Sequence, residues 1–250
     1  NSCIYFFEFF LHSKNINMIF ENELISGVLI KRYKRFFVDI RVNNKVITAH
    51  CPNTGSMMGL LRQGNKVWVT KSNDINRKLK YTLQIIEDNG RKIGINTHLT
   101  NKIVYTALKV NFIKEFKNEL IIKPEQKFGN NTRFDFLIES GKQKIFLEVK
   151  NVTLSRKKNL AEFPDSITTR GAKHIIELIH AVKQGYKSYL IFVIQREDCK
   201  KFKIAEDIDP EYSKLLTVAL KNKVKILCFD CKFSTKGIKL NKQIKLQIND

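Results

Sequence analysis

No apolar run in this chain approaches the ~20 residues that a membrane-spanning helix needs. Acidic residues are also scarce: 24 Asp and Glu stand against 45 Lys and Arg. The cysteines form no framework. Cys3, Cys51, Cys199, Cys228 and Cys231 are odd in number and irregular in spacing, which argues against a disulfide scaffold and fits a reducing cytoplasm. Cys228-x-x-Cys231 lacks a second pair at zinc spacing and sits in a strand-like run. The five histidines are scattered and give no two-His metal motif. There is no internal repeat, no low-complexity tract and no helix-turn-helix signature, which weakens a sequence-specific transcription-factor account. No amphipathic docking segment stands out, so a regulator acting through a protein partner is a third and weaker reading.

What is present is positive charge. The net charge is +21 and the pI about 9.8. Such a balance points to a polyanionic partner, with nucleic acid as the default. A bland account competes. Lys outnumbers Arg by 35 to 10, as an AT-rich genome would produce whatever the function. At 250 residues and 43% hydrophobic, the chain can bury one large core or two modest ones.

Residues 1–17 start with Asn and carry an apolar run from Ile4 to Leu11, broken by Glu8. No Lys or Arg precedes that run and no small-residue cleavage site follows, so it is a poor signal peptide. Composition changes at Met18. The expectation is that Met18 is the natural start and that residues 1–17 are an upstream, non-native extension.

Residues 18–96 read as short strands separated by turns. Candidates are Leu24–Lys31, Phe36–Arg41, Lys45–His50, Lys66–Lys71, Lys80–Ile86 and Lys92–Asn96. Asn43-Asn44, Gly55, Gly64-Asn65, Asn73-Asp74 and Asn89-Gly90 punctuate them. That density of strands suggests an OB-fold-like β-barrel. Residues 97–250 read as mixed α/β. A helix is expected over 98–118, then an edge strand Leu120–Lys127 interrupted by Pro124. A hairpin follows, then a loop from Ser155 to Asp165. The next helix is capped by Thr168 or Thr169 and closed by Gly185. Tyr189–Ile194 is apolar throughout, as in a strand buried on both faces. Pro210–Asn222 is a further helix and Val224–Phe229 a final strand, with the Lys-rich tail forming an edge hairpin or a frayed end.

The hairpin carries the sharpest signal. Phe134, Phe136 and Ile138 alternate with Asp135 and Leu137, and Ile145, Leu147 and Val149 alternate with Phe146, Glu148 and Lys150. Ser140-Gly141-Lys142-Gln143 suits a two-residue type II′ turn. In that register Asp135 faces Glu148, and Lys150 lies two residues on. Opposed carboxylates repel unless a divalent cation such as Mg²⁺ or Mn²⁺ lies between them. A neighbouring Lys can stabilise developing negative charge or help activate water. An Asp, a spacer and then Glu-x-Lys is the pattern of the PD-(D/E)xK nuclease core. On this reading Asp135 and Glu148 hold metal and Lys150 is catalytic. Glu119 or Glu125 is a candidate further carboxylate. The competing reading is a solvated hairpin face.

Three other motifs stand out. Lys31-Arg32-Tyr33-Lys34-Arg35-Phe36-Phe37 interleaves cations and rings, as a nucleic-acid-binding strand does. Arg32, Lys34 and Arg35 are its candidate contacts, and Phe36 or Phe37 is expected in the core. His50-Cys51-Pro52-Asn53-Thr54-Gly55-Ser56-Met57 reads as a turn locked by Pro52 and Gly55, rather than a metal site, with backbone N–H groups available to an anion. Arg170, Lys173 and His174 cluster at a helix start, where cations oppose the helix dipole unless a phosphate is bound.

Taken in order, these segments make the chain resemble the sugar fermentation stimulation protein A family from about Leu24 to Val224. The resemblance rests on Arg32-Tyr33-Lys34-Arg35-Phe36 with Asp39, the His50–Met57 block and Arg133-Phe134-Asp135-Phe136. It continues through Glu148-Val149-Lys150-Asn151-Val152-Thr153-Leu154, Phe163-Pro164-Asp165, Thr169-Arg170-Gly171 and Lys173-His174. The family typically carries Ser where Asn151 stands. The resemblance implies an N-terminal OB-fold and a C-terminal PD-(D/E)xK restriction-nuclease-like α/β domain. It also implies sequence-independent DNA binding and a regulatory link to sugar (maltose) metabolism. A divalent-metal-dependent nuclease is the alternative.

Overall fold

The structure is a computed structural model, and it describes residues 17–116, 119–129 and 132–247. Residues 1–16 of the expected extension lie outside these.

Six strands build the N-terminal unit: β2 (Leu24–Tyr33), β3 (Phe37–Val42), β4 (Lys45–His50), β5 (Lys66–Lys71), β6 (Tyr81–Asp88) and β7 (Arg91–Gly94). They run in the order β4-β3-β2-β5-β6-β7, and a parallel pairing of β4 with β6 closes five of them into a barrel. Alternation along the strands sends Leu29, Ile40, Val67, Val69 and Leu83 to the interior, all fully buried. Asn43-Asn44 and Asn89-Gly90 take left-handed conformations at two hairpin turns. Those are the residues that type I′ turns favour. The expected OB-type barrel is thus built on the turns that the sequence marks.

The basic aromatic segment is not one strand. β2 ends at Tyr33 and β3 starts at Phe37, so Lys34, Arg35 and Phe36 form the hairpin tip. This corrects the expectation of a core ring. Phe36 is exposed, and Phe37 is half-buried and stacked on Tyr33 at 5.5 Å.

The C-terminal unit is centred on a seven-stranded sheet. Its order is β1 (Met18–Ile19), β16 (Gly237–Gln243), β15 (Lys225–Phe233), β13 (Lys187–Ile194), β10 (Gln143–Val152), β9 (Thr132–Ser140) and β8 (Ile121–Phe128). β10, β13 and β15 are parallel. Helix α1 (Thr100–Lys109) covers one face, while α2 (Thr169–Lys183) and α3 (Pro210–Lys221) cover the other. Two covered faces explain why β13 reads as a continuous apolar run. β8 lies on the sheet edge, as Pro124 predicts. Cys228 and Cys231, three apart on β15, pack on opposite faces of the sheet.

Four expectations are corrected. The helix expected over 98–118 stops at Lys109, because Asn111 turns left-handed at φ 53° and Phe112 N–H returns to the Ala107 carbonyl. Asn tolerates that conformation better than most residues. The Ser155–Asp165 loop instead starts with strands β11 (Leu154–Lys157) and β12 (Leu160–Phe163), which join β14 (Lys201–Ile204) and β17 (Leu246–Gln247) in a second sheet. Its lysines, Lys157 and Lys158, are exposed around the turn between the two strands, while the one acid facing inward, Glu162, is paired with Arg156 and with Lys203 of β14. Val224–Phe229 is not the final strand: of the two alternatives for the tail the hairpin is the one found, β15 with β16, and β17 follows. β16 is not an edge either, because β1 pairs with it. The first described strand therefore belongs to the C-terminal sheet, not to the barrel. Among the described residues no helix is long and apolar enough to cross a membrane.

Candidate metal and nucleic-acid site

Asp135 lies on β9, and Glu148 and Lys150 lie on β10. The hairpin between them keeps the expected register, from Ser140 opposite Gln143 to Phe136 opposite Leu147. Gly141 sets the turn at φ 57°. One step beyond the paired ladder, the Asp135 carboxylate accepts the Val149 backbone N–H at 2.7 Å. Its other oxygen accepts the Asn101 side-chain amide, also at 2.7 Å. Burial and the Glu148 charge push the Asp135 carboxyl up to about 6, against the pull of these donors and of Lys150.

Glu148 is only 2% exposed. Lys150 Nζ donates to its Oε1 at 2.7 Å, and His174 Nδ1 contacts the same oxygen. Lys150 and His174 are themselves 3.4 Å apart. Burial would raise the Glu148 carboxyl, but Lys150 and His174 outweigh it and hold the group below its usual value. Oε2 of Glu148 has no hydrogen-bond partner among the described residues. Tyr212, near enough to feel the Glu148 charge, is wholly buried, its hydroxyl also without a partner among them. Burial, then the Glu148 charge, pushes that phenol well above its ordinary value.

The arrangement suits a divalent cation. A buried carboxylate keeps one oxygen unsatisfied beside a second carboxylate, and oxygen ligands of this kind bind Mg²⁺ or Ca²⁺. The candidate third carboxylates do not join it. Glu125 sits on the edge strand, exposed and 3.8 Å from Arg133, and Glu119 is exposed. Among the described residues no group of three or more His, Cys, Asp and Glu side chains is placed to hold a metal. A cation here would take its remaining ligands from backbone, water and substrate oxygens.

Asn101 and His174 complete the cluster. Neither was legible as a partner of these acids. Asn101 arrives from the first turn of α1, 34 residues before Asp135 in sequence. His174 is buried, whereas Arg170 and Lys173 on the same turns of α2 are exposed. Thr168 caps α2 by accepting the Gly171 N–H. A polar network lies next to Lys150: Gln195 Nε2 donates to Asn151 Oδ1 at 2.6 Å and to Thr100 Oγ1 at 3.1 Å.

Arg32 is half-buried and structural. Its guanidinium donates to the Asn53 carbonyl at 2.7 Å and to the Arg35 carbonyl at 3.0 Å. Lys34 and Arg35 are exposed. Two N–H groups of the His50–Met57 loop have side-chain acceptors. Gly55 N–H goes to Asn53 Oδ1 and Met57 N–H to Asp165 Oδ2. The anion it meets is the protein's own Asp165, which docks the barrel on the C-terminal unit. A cleft of about 350 Å³ lies along this seam, lined by Arg35, Asn53, Asn151, Ser166, Ile167 and Thr168 among others.

Two family models match. One is described as the SfsA N-terminal OB domain, over residues 30–95, and the other as the sugar fermentation stimulation protein RE domain, over residues 98–237. A sugar fermentation stimulation protein homolog of Pelagibacter ubique is 55% identical over 92% of this chain and 99% of its own length. One from Brucella anthropi is 40% identical over 92% of this chain and 100% of its own. Among solved structures, SfsA of Pyrococcus furiosus in complex with Ca²⁺ superposes with a TM-score of 0.83 at 28% identity, covering 92% of this chain and 98% of that one. The chain belongs to the sugar fermentation stimulation protein family.

Proposed function

We propose that this protein binds DNA without sequence preference and hydrolyses phosphodiester bonds in it with a divalent cation, Mg²⁺ or Mn²⁺. The observation that carries the reading is the buried Glu148, with one oxygen on Lys150 and the other unsatisfied beside Asp135. The relative solved with Ca²⁺ supports divalent-metal binding. Asp135 and Glu148 would hold the cation. When bound, it neutralises charge on the phosphate under attack and acidifies water. The chain's own groups do the rest. Lys150 stands beside Glu148 as a fixed positive charge toward developing oxyanion. His174 pins Glu148, and Asn101 pins Asp135. Exposed Lys34, Arg35, Arg170 and Lys173 supply positive surface for the backbone.

A second reading keeps DNA and metal binding without cleavage, in a regulatory factor linked to sugar metabolism. The absence of a third acidic ligand among the described residues favours it, and so does the family's name. One assay separates the two. Plasmid, linear duplex and single-stranded DNA are incubated with Mg²⁺ or Mn²⁺ and wild type, Asp135→Ala or Lys150→Ala. Cleavage by wild type that both variants lose supports the nuclease. Equal cleavage by all three marks a contaminant and overturns it.

A further inference from the structure

We infer that the cleft between barrel and C-terminal unit takes one unpaired nucleotide, making this a protein that prefers single-stranded or frayed DNA. The inference rests on the DNA-binding reading above and names the form bound.

The first observation is the β2–β3 tip. Lys34 and Arg35 both take left-handed backbone conformations, φ 47° and 62°. Neither residue is suited to it, and such strain costs about 1 kcal/mol or more per residue. Asn-Gly would form this turn cheaply, as Asn43-Asn44 and Asn89-Gly90 nearly do elsewhere in the same barrel. The fold holds the tip in place: Arg32 donates to the Arg35 carbonyl and to the Asn53 carbonyl. Asn53 in turn leads into the loop docked on Asp165.

The second observation is where the tip delivers Arg35. Arg35 lines the cleft together with Ser166, Ile167 and Thr168, and the same cleft reaches Asn151, the residue after Lys150. Among the described residues the Arg35 guanidinium makes no hydrogen bond or ion pair, whereas the cleft's acids are engaged. Glu162 is held by Arg156 at 2.8 Å, and Asp165 by Ser56 at 3.3 Å. Arg156 and Lys203 neutralise Glu162, while Asp165 keeps its charge turned toward Ser56 and the Met57 N–H, so among the described residues Arg35 is left as the unpaired cation of the cleft, forked for phosphate.

The third observation is size and surface. About 350 Å³ is at the small end of ligand pockets. It admits a nucleotide and excludes a duplex. Ile167 lines the cleft and is 77% exposed, and Phe36, beside Arg35 at the hairpin tip and not itself a lining residue, is 45% exposed. An exposed ring such as Phe36 can stack on an unpaired base at the mouth of the cleft while Ile167 offers apolar contact, and a base inside a duplex has no free face to offer. A nucleotide seated here would lead its strand past Asn151 to the Lys150 site.

The test is fluorescence anisotropy with a labelled oligothymidine and a blunt duplex of equal length, both with Ca²⁺. The variants are Arg35→Gly, Arg35→Lys and Phe36→Ala, with Lys183→Ala at the far end of α2 as control. Glycine suits φ 62°, so Arg35→Gly keeps the turn while removing the charge. The expected result is that wild type binds the single strand ~10-fold or more tighter than the duplex. Arg35→Gly and Phe36→Ala each lose about tenfold on the single strand and under about twofold on the duplex. Arg35→Lys falls between, and Lys183→Ala matches wild type. Equal wild-type affinity for both forms, or variants that weaken both equally, overturns the inference while leaving DNA binding standing. No binding to either form overturns the DNA-binding reading itself.

Discussion

Asn101, in the first turn of α1, donates its side-chain amide to Asp135 on β9 at 2.7 Å. The contact fixes one carboxylate oxygen from outside the hairpin, while Val149 N–H fixes the other from within it. A partner of a metal-binding carboxylate that does not itself touch the metal typically contributes 10–100-fold in affinity. Asn101→Ala is expected to weaken Ca²⁺ or Mn²⁺ binding by about tenfold in isothermal titration. Unfolding stability should fall by only about 1 kcal/mol. Unchanged metal affinity would remove Asn101 from the site.

Burial, and then the Glu148 charge, push the Asp135 carboxyl up to about 6 from an ordinary value of 3.8. A carboxyl raised on folding contributes stability that is complete below about pH 4 and is lost as pH rises through about 6. Glu148 is shifted the other way, so a bare pH profile mixes the two. Comparison with Asp135→Ala isolates the one group. Without metal, the stability of wild type relative to this variant should fall by roughly 2 kcal/mol between pH 4 and pH 7.5 in urea titrations. A divalent cation competes with the proton on Asp135. Ca²⁺ should therefore raise the melting temperature of wild type at pH 7.5, much less at pH 5, and not that of Asp135→Ala at either pH.

Glu148 is the shared acceptor of Lys150 and His174. Its side chain is 3% exposed and that of Lys150 is 13%. Removing one partner of such a pair strands the other charge away from water, at roughly 3–5 kcal/mol. Glu148→Ala should fall in that range by urea midpoint. Glu148→Gln retains an acceptor for Lys150 and should cost less. Both should lose metal binding. A Glu148→Ala protein as stable as wild type would mean that water reaches Lys150 freely.

The parts of this site that the sequence exposes are those written in local periodicity. The Asp135, Glu148 and Lys150 register follows from alternation and from Gly141, because side chains in a strand repeat every two residues. The caps of α2 and the barrel hairpins follow from Thr168, Asn43-Asn44 and Asn89-Gly90. Asn101 and His174 were invisible as partners because tertiary packing of helices on the sheet brings them in, and nothing local encodes that docking. The over-long helix prediction has a local cause: Phe112 and Phe116 continue the apolar spacing although the backbone has already turned at Asn111. The basic aromatic segment misled in the same way. Its alternation looks like a strand, but Lys34 and Arg35 are in left-handed conformations that side-chain pattern alone does not reveal.

The charge of +21 leads to a last prediction about salt. Each phosphate neutralised by a Lys or Arg releases counterions, so log affinity falls linearly with log salt. About six contacts would lower affinity by ~10³ between 50 and 200 mM salt. Arg170 is exposed on the first turn of α2, and its removal should weaken binding uniformly across sequences and reduce the slope by about 1. Arg32 should behave differently, because its guanidinium is occupied by the Asn53 and Arg35 carbonyls. Arg32→Ala should lower affinity by releasing the hairpin tip, and should lower melting temperature as well, which Arg170→Ala should not. Affinity that is flat with salt, or confined to one tight operator, would mean that the positive charge reflects composition and not a DNA-binding surface.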